Sequence, residues 1–296
     1  MNTSDKVFFA EEEVRKNFNK TVLCFFVFVG IILGLSYFLG YLLNAPEIGL
    51  KIGFLTCLIV IPVELIMARW SILTLTGCIE LDPNNPAEAR ILRIVQNISI
   101  SAGLAIPPKV YLIPVKTPNA FAAGWNPETS FIGITTGLAD LLDDSELEGV
   151  IAHEISHIVH RDVMTMQFAT AMVSGALLLA FFIQCIVALK EERGVVSLIV
   201  FVFICPITLI ISLTAFFFIS RKREFASDAF AVRLCSYNQG LIGALEKLSA
   251  NTEYSEDEIN QLGGNALSAL YFVFPGSIFS THPPIEERIN RLKNMY

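Results

Sequence analysis

The sequence is short of charge. Only 17% of its 296 residues are Asp, Glu, Lys or Arg, and acid exceeds base to give a formal net charge of -7. No run of Lys or Arg forms a phosphate-binding stripe, which excludes a nucleic-acid partner. Cysteines are few (Cys24, Cys57, Cys78, Cys185, Cys205 and Cys235), and no two stand at C-x-x-C spacing. Four of them lie in long apolar runs, so they read as small buried residues in a reducing setting rather than a disulfide framework or a metal site. Internal repeats and low-complexity linkers are absent. Apolar residues fill the space: 53% of the chain is hydrophobic and the mean hydropathy is +0.58, more than an ordinary soluble domain carries.

The apolar residues gather into four runs, 21–43, 49–68, 165–189 and 195–219. About 20 helical residues cross a hydrocarbon core, so each run is long enough to span a bilayer. The second is interrupted by Lys51, Pro62 and Glu64, while the last holds no charge at all. The first run is too long for a signal peptide, lacks a small-residue cleavage site and is followed at once by the second, so it reads as a retained span. Of the Lys and Arg residues, 18 fall in 1–20, 69–164 and 220–296, against 3 in the two short connectors. That bias places both termini and the 69–164 segment in the cytoplasm of a multi-pass protein of the cell (inner) membrane. The expected organisation is a cytoplasmic tail (1–20), a transmembrane hairpin (21–68), a discontinuous cytoplasmic domain (69–164 plus 220–296), and a second transmembrane hairpin (165–219) inserted within it. The fold class is therefore membrane α-helical, with four transmembrane helices and a mainly α, α+β cytoplasmic domain.

Within the polar part, Pro86 to Gly103 reads as a helix capped at Asn84 or Asn85, with Ile91, Ile94, Val95 and Ile98 as its apolar stripe. Lys109 to Pro114 and Ser130 to Ile134 read as short strands, the second broken by Gly137. The acidic stretch Asp143-Asp144-Ser145-Glu146 suits the start of a helix that continues through His153.

That helix carries the sharpest motif, His153-Glu154-Ile155-Ser156-His157. Helical positions four apart share a face, so both imidazoles can meet one tetrahedral Zn²⁺. Glu154 can then reach a water at the metal without entering the coordination sphere. A catalytic zinc site needs a third protein ligand. His160 is displaced by about 10 Å along the helix from His153, too far to share a metal with it. His282 sits in the rigid turn Thr281-His282-Pro283-Pro284. Glu224 is the better ligand, because the Arg221–Leu234 stretch is helical in pattern and follows the last apolar run. Asp228 stands four residues on, so one carboxylate can ligate while the other bonds the far nitrogen of a ligand histidine. Taken alone, the two carboxylates read better as a charged helix face paired with Arg221 and Lys222 than as ligands. H-E-x-x-H on the same side of the membrane tips the balance to ligation.

Four segments together resemble the M48 zinc metallopeptidases, in particular the HtpX-type membrane proteases: Pro118–Ala122 (PNAFA), Gly149–Asp162 (GVIAHEISHIVHRD), Ser220–Asp228 (SRKREFASD) and Thr281–Arg288 (THPPIEER). The resemblance implies a zincin/gluzincin-like catalytic domain with one Zn²⁺ per chain, held by His153, His157 and Glu224, and Glu154 as base. It implies that Asp228 orients a ligand histidine. It further implies that Asn119, Ala120, Phe121 and Ala122 form an edge strand on which extended substrate is laid, and that His282 hydrogen-bonds substrate or the tetrahedral intermediate. Membrane protein quality control, with protein and membrane-protein substrates, is the implied role.

An intramembrane protease is excluded because the motif is flanked by Asp143, Asp144, Glu146 and Glu148 before it and Arg161-Asp162 after it. A prenyl-protein peptidase of the same superfamily would need more spans. A transporter would need more ionisable residues within its spans than Glu64. A non-catalytic membrane scaffold or adaptor retaining a zinc site is the alternative from another class, and an intact Glu154 counts against it.

Overall fold

Hydrophobic periodicity and capping chemistry set most of the elements in the computed structural model, which describes residues 3–42, 44–165, 167, 221–250, 272 and 283–295. The chain divides into two compact units, one made of Met1–Asn17, Arg69–Met164 and Ile219–Tyr296, the other of Phe18–Ala68 and Thr165–Phe218.

In the first unit, helix α4 (Pro86–Ser101) starts at the Asn85 cap, whose side chain accepts from the Ala87 N–H, with proline in the first turn. It buries Ile91, Val95 and Ile98, three of the four stripe residues, while Ile94 is half-buried. Four strands, β1 (Ile79–Glu80), β2 (Lys109–Ile113), β3 (Ala120–Ala123) and β4 (Phe131–Thr135), form one sheet in the order β1-β2-β4-β3. The β2/β4 pair is parallel and the other two pairs are antiparallel. Both faces of β3 are covered. Ala120 and Ala122 join the main core, and Phe121 and Ala123 pack with Ile72, Tyr111, Ile113 and Phe131. Gly133 lies opposite Phe121, and a side chain there would strike the Phe121 ring. Gly137 does not break β4 as expected. The strand ends at Thr135, whose hydroxyl caps helix α5 (Thr136–Leu141), and Gly137 lies in its first turn against the Lys116 carbonyl.

Helix α6 (Asp144–Val159) is the central element, buried on nearly every side and packed against α4, β3, α7 (Arg221–Cys235) and α8 (Gln239–Ser249). Asp143 accepts from the Ser145 and Glu146 N–H groups while the Glu146 carboxylate accepts from the Asp143 N–H, a reciprocal capping box. The last described helix is α9 (Ile285–Lys293), which packs on α7 and α8.

Among the described residues no helix is long and apolar enough to cross a membrane. Helix α1 (Thr3–Leu42) takes in all but the last residue of the 21–43 run. Helix α2 (Pro46–Leu55), a π-helical turn (Thr56–Val60) and α3 (Ile61–Leu75) take in the 49–68 run. The π turn ends two residues before Pro62, which removes a donor from the i→i−4 ladder and crowds the preceding turn. Small residues let α1 and α2 approach: Gly49 meets the Ser36 carbonyl and Gly53 the Ser36 side chain. The 195–219 run and all but two residues of the 165–189 run lie outside the described residues, and so does the side chain of Glu64. Large exposed hydrophobics concentrate between Phe18 and Leu75; beyond them the described residues expose only Ile79, Ile100, Ile106 and Met295.

The approach of α6 to α8 depends on paired glycines. A Cβ on Gly149 would lie 2.6 Å from the Leu241 nitrogen, and one on Gly240 2.2 Å from the Ser145 carbonyl oxygen. Gly149→Ala is expected to destabilise the protein by about 1–3 kcal/mol through overpacking, read as a lowered urea midpoint. A Cβ on Gly243 would meet side-chain rather than backbone atoms, Glu146 Oε1 at 2.9 Å, so Gly243→Ala should cost less.

Candidate active site and metal centre

Helix α6 delivers His153 and His157 to one side of the core, four residues and one turn apart. Their Nε2 atoms are 3.0 Å apart. From α7, the Glu224 carboxylate places one oxygen 3.5 Å from His153 Nε2 and the other 3.5 Å from His157 Nε2. Ligand atoms from the three residues lie within 4.8 Å of one another and could hold a metal ion. Tetrahedral zinc with bonds of about 2.0–2.1 Å separates its ligands by about 3.3 Å. The observed edges bracket that value, and two imidazoles with one carboxylate are a donor set suited to zinc. The residues therefore fit the metal that the motif implies.

A layer of ion pairs surrounds the three. Asp228, one turn beyond Glu224 on α7, lies 2.9 Å from His153 Nδ1. This contact assigns the His153 proton to Nδ1 and leaves the Nε2 lone pair facing His157. Arg288, from α9, donates from Nε and Nη2 to the two oxygens of Asp228 at 2.9 and 2.6 Å. Its Nη2 is also 3.3 Å from His153 Nδ1, but a protonated Nδ1 donates to Asp228 and cannot accept from the guanidinium. Burial opposes the ionised form of Asp228, yet Arg288 and His153 hold its carboxyl below the usual carboxylate range. Burial likewise opposes the charge on Arg288, and Asp228 more than restores it. On the other side, His157 Nδ1 faces Asp162 Oδ2 at 3.2 Å and Ser227 Oγ at 3.3 Å. Arg223 donates to the other oxygen of Asp162 at 3.3 Å.

Glu154 is buried on α6 between the two histidines, near enough for its charge to act on both His157 and Arg288. Asn119 is buried just before β3; it accepts from the Thr135 N–H and shields the Ala120 N–H with its own side chain. Among the described residues β3 is an edge strand of the sheet, paired with β4. In this register Ala120 and Ala122 turn their backbone groups outward, and the Ala120 carbonyl accepts from the Phe272 N–H at 2.8 Å. Phe272 also sets its ring against His153 and beneath the Arg288 guanidinium, 4.5 Å from the ring centre. His282 lies outside the described residues. His160 caps α6, with Nδ1 2.9 Å from the Ser156 carbonyl oxygen and its ring against Phe230, away from the cluster.

Asp162, Arg223, Phe272 and Arg288 are the neighbours that sequence reasoning missed. Arg288 had a signal, since it closes the THPPIEER segment. Asp162 closes the H-E-x-x-H segment, but its return to His157 depends on a turn that periodicity does not reveal.

A helix-borne pair of histidines, a glutamate between them and a distant carboxylate define a metallopeptidase site. Residues 85–296 match the model of peptidase family M48. A protease HtpX homologue of Dictyoglomus turgidum is 34% identical over 307 residues, covering 98% of this chain and 96% of its own. One from Streptococcus gordonii is 30% identical over 302 residues, with 96% and 99% coverage, and one from Methanocaldococcus jannaschii is 36% identical over 215 residues, with 69% and 74%. In fold, the chain is similar to the crystal structure of S. mikatae Ste24p, with a TM-score of 0.50 at 16% identity; 95% of this chain covers 66% of that one. The chain belongs to peptidase family M48 and is a metalloprotease.

Two outcomes follow from the electrostatics. Burial would lower the pKa of His157, but the Asp162 hydrogen bond and the charges of Glu224, Asp162 and Glu154 raise it to about 9. In metal-free protein this proton stabilises the fold fully below the unfolded value of about 6.5, and the contribution is lost as pH rises through the folded value. A metal must displace it, so zinc affinity should rise about tenfold per pH unit from 7 toward 9 and then level off, as measured by chelator competition. Arg288→Ala strands Asp228 in the core and should cost about 3–5 kcal/mol, seen in denaturant unfolding.

Proposed function

We propose that this chain is a membrane-integrated zinc endopeptidase that cuts membrane or misfolded proteins at the cytoplasmic face. The observation that carries this reading is the clustering of His153, His157 and Glu224, with Glu154 on the same helix. One Zn²⁺ per chain, held by those three residues, would supply Lewis-acid chemistry, activating water near neutral pH and polarising the peptide carbonyl. Glu154 takes a proton from the attacking water as its oxygen bonds to the carbonyl carbon. It returns that proton to the departing amine as the C–N bond breaks. Asp228 keeps His153 in the tautomer that presents Nε2, and Arg288 keeps Asp228 ionised. Substrate backbone adds to the outer edge of β3, where Ala122 offers an N–H and a carbonyl, with Asn119, Ala120 and Phe121 fixing that edge. His282 adds a donor to the developing oxyanion.

Membrane integration is supported by the four apolar runs and by the exposed hydrophobics between Phe18 and Leu75. The four apolar runs would be the spans, and the distribution of Lys and Arg supports a cytoplasmic site. Such a site, beside the bilayer, suits cleavage of loops and unfolded segments of membrane proteins.

The test is cleavage of unfolded casein by detergent-purified protein supplied with Zn²⁺. Glu154→Gln should retain one zinc per chain and lose about 10²–10⁴-fold in rate, and a chelator should abolish cleavage. Retained activity in Glu154→Gln would remove the base assignment. Bound zinc with no cleavage of casein or of partners trapped by Glu154→Gln would favour a scaffold that keeps its metal.

A further inference from the structure

Each metal-facing histidine meets a carboxylate through its far nitrogen, and each carboxylate is gripped by an arginine. The Asp228–Arg288 arm serves His153. The second arm is built from parts that no motif assigns. Helix α6 ends at Val159, His160 caps it, and Arg161 then adopts the left-handed conformation, with φ of +57°. Non-glycine residues enter that region at a cost of about 1 kcal/mol, and here the turn brings Asp162 back along the helix. Its Oδ2 stops 3.2 Å from His157 Nδ1, and Arg223 Nη1 reaches Oδ1 at 3.3 Å. Ser227 Oγ, 3.3 Å from the same Nδ1, is the competing partner.

We propose that Asp162, held by Arg223, is the positioning residue for His157: it receives the Nδ1–H and so directs Nε2 toward the metal. The inference rests on His157 being a ligand. Three features favour Asp162 over Ser227. A carboxylate accepts more strongly than a hydroxyl. Asp162 is buried, with a cation fixing its second oxygen. Arg223 immediately precedes Glu224, so the residue that anchors Asp162 also sets the start of the ligand helix. Asp162 closes the 69–164 piece and Arg223 opens the following one, so the pair clasps the two ends of the polar chain on either side of the 165–219 segment.

The decisive variant is Asp162→Asn, which preserves shape. Its amide offers one donor where His157 and Arg223 both need an acceptor, so one of the two contacts must fail. In full-length, detergent-purified protein, zinc affinity from chelator competition should fall about 10–100-fold. The Co²⁺-substituted protein should change its visible d–d spectrum, a response that loss of stability alone would not produce. Asp162→Ala should match or exceed this loss, and Ser227→Ala should stay within about twofold of wild type on the same scale. Wild-type zinc affinity and an unchanged Co²⁺ spectrum in Asp162→Asn would overturn the proposal, as would Ser227→Ala reproducing the loss. His157→Ala separates the premise from the inference. If it too leaves affinity unchanged, the ligand assignment fails; if it abolishes binding while Asp162→Asn does nothing, only the positioning role fails.

Discussion

Charge buried around His153 and His157 is the constraint on which the rest of the unit depends. Glu154, Glu224, Asp228 and Asp162 are all buried, the most exposed of them at 6%, and an unpaired buried carboxylate costs several kcal/mol. Among the described residues, Arg223 grips Asp162 and Arg288 grips Asp228. Asp162, Glu224 and Glu154 draw a proton onto His157, a group that burial would otherwise keep neutral. His153, His157 and Glu224, at the centre of these charges, form a group that could hold a metal ion.

The surrounding architecture delivers these groups and keeps water from them. Helix α6 is buried so fully because it must bring three ionisable side chains into the core at once, and its reciprocal cap fixes where the helical register begins. A shift of one residue at Asp143 would rotate the histidines by about 100° and separate them from Glu224. Close contact with α8 through Gly149 and Gly240 allows that register to be packed without a gap. The sheet contributes differently: β3 packs Ala120 and Ala122 into the core that α6 shares and turns the Ala122 backbone to its outer edge.

What could be read in the sequence follows the range of the signal. His153, Glu154 and His157 were legible because a helix converts spacing into shared direction within five residues. The α6 start was legible from its acids, and β3 from the PNAFA segment, although the strand runs one residue past Ala122. Glu224 needed more, since nothing local distinguishes it from a solvated helix face; its assignment leaned on the motif 67 residues before it and on family resemblance. Asp162 was hidden by a left-handed arginine, a conformation that side-chain chemistry does not announce. Arg288 was visible as a motif letter, but its role was not, because its partners are 60 and 135 residues away. The part played by Gly137 was misread for a related reason: the glycine answers a distant carbonyl at Lys116, and the strand is stopped by a threonine cap.

Those separations also say how the site comes into being. It draws on β3, α6, the turn after it, α7, Phe272 and α9, so neither polar segment contains a working half. Lysine could not replace arginine at 288 on equal terms. The planar guanidinium meets both oxygens of Asp228 while stacking on Phe272, whereas an ammonium would satisfy the charge without fixing the carboxylate plane. Contacts of such sequence separation form late, after long loops have closed. A metal that binds the assembled cluster and not its separated parts then stabilises the whole unit through linkage. Proteolytic competence is thereby tied to complete folding, because an incompletely closed chain lacks Arg288, and the Asp228 carboxylate beside His153 is then left without the cation that fixes it.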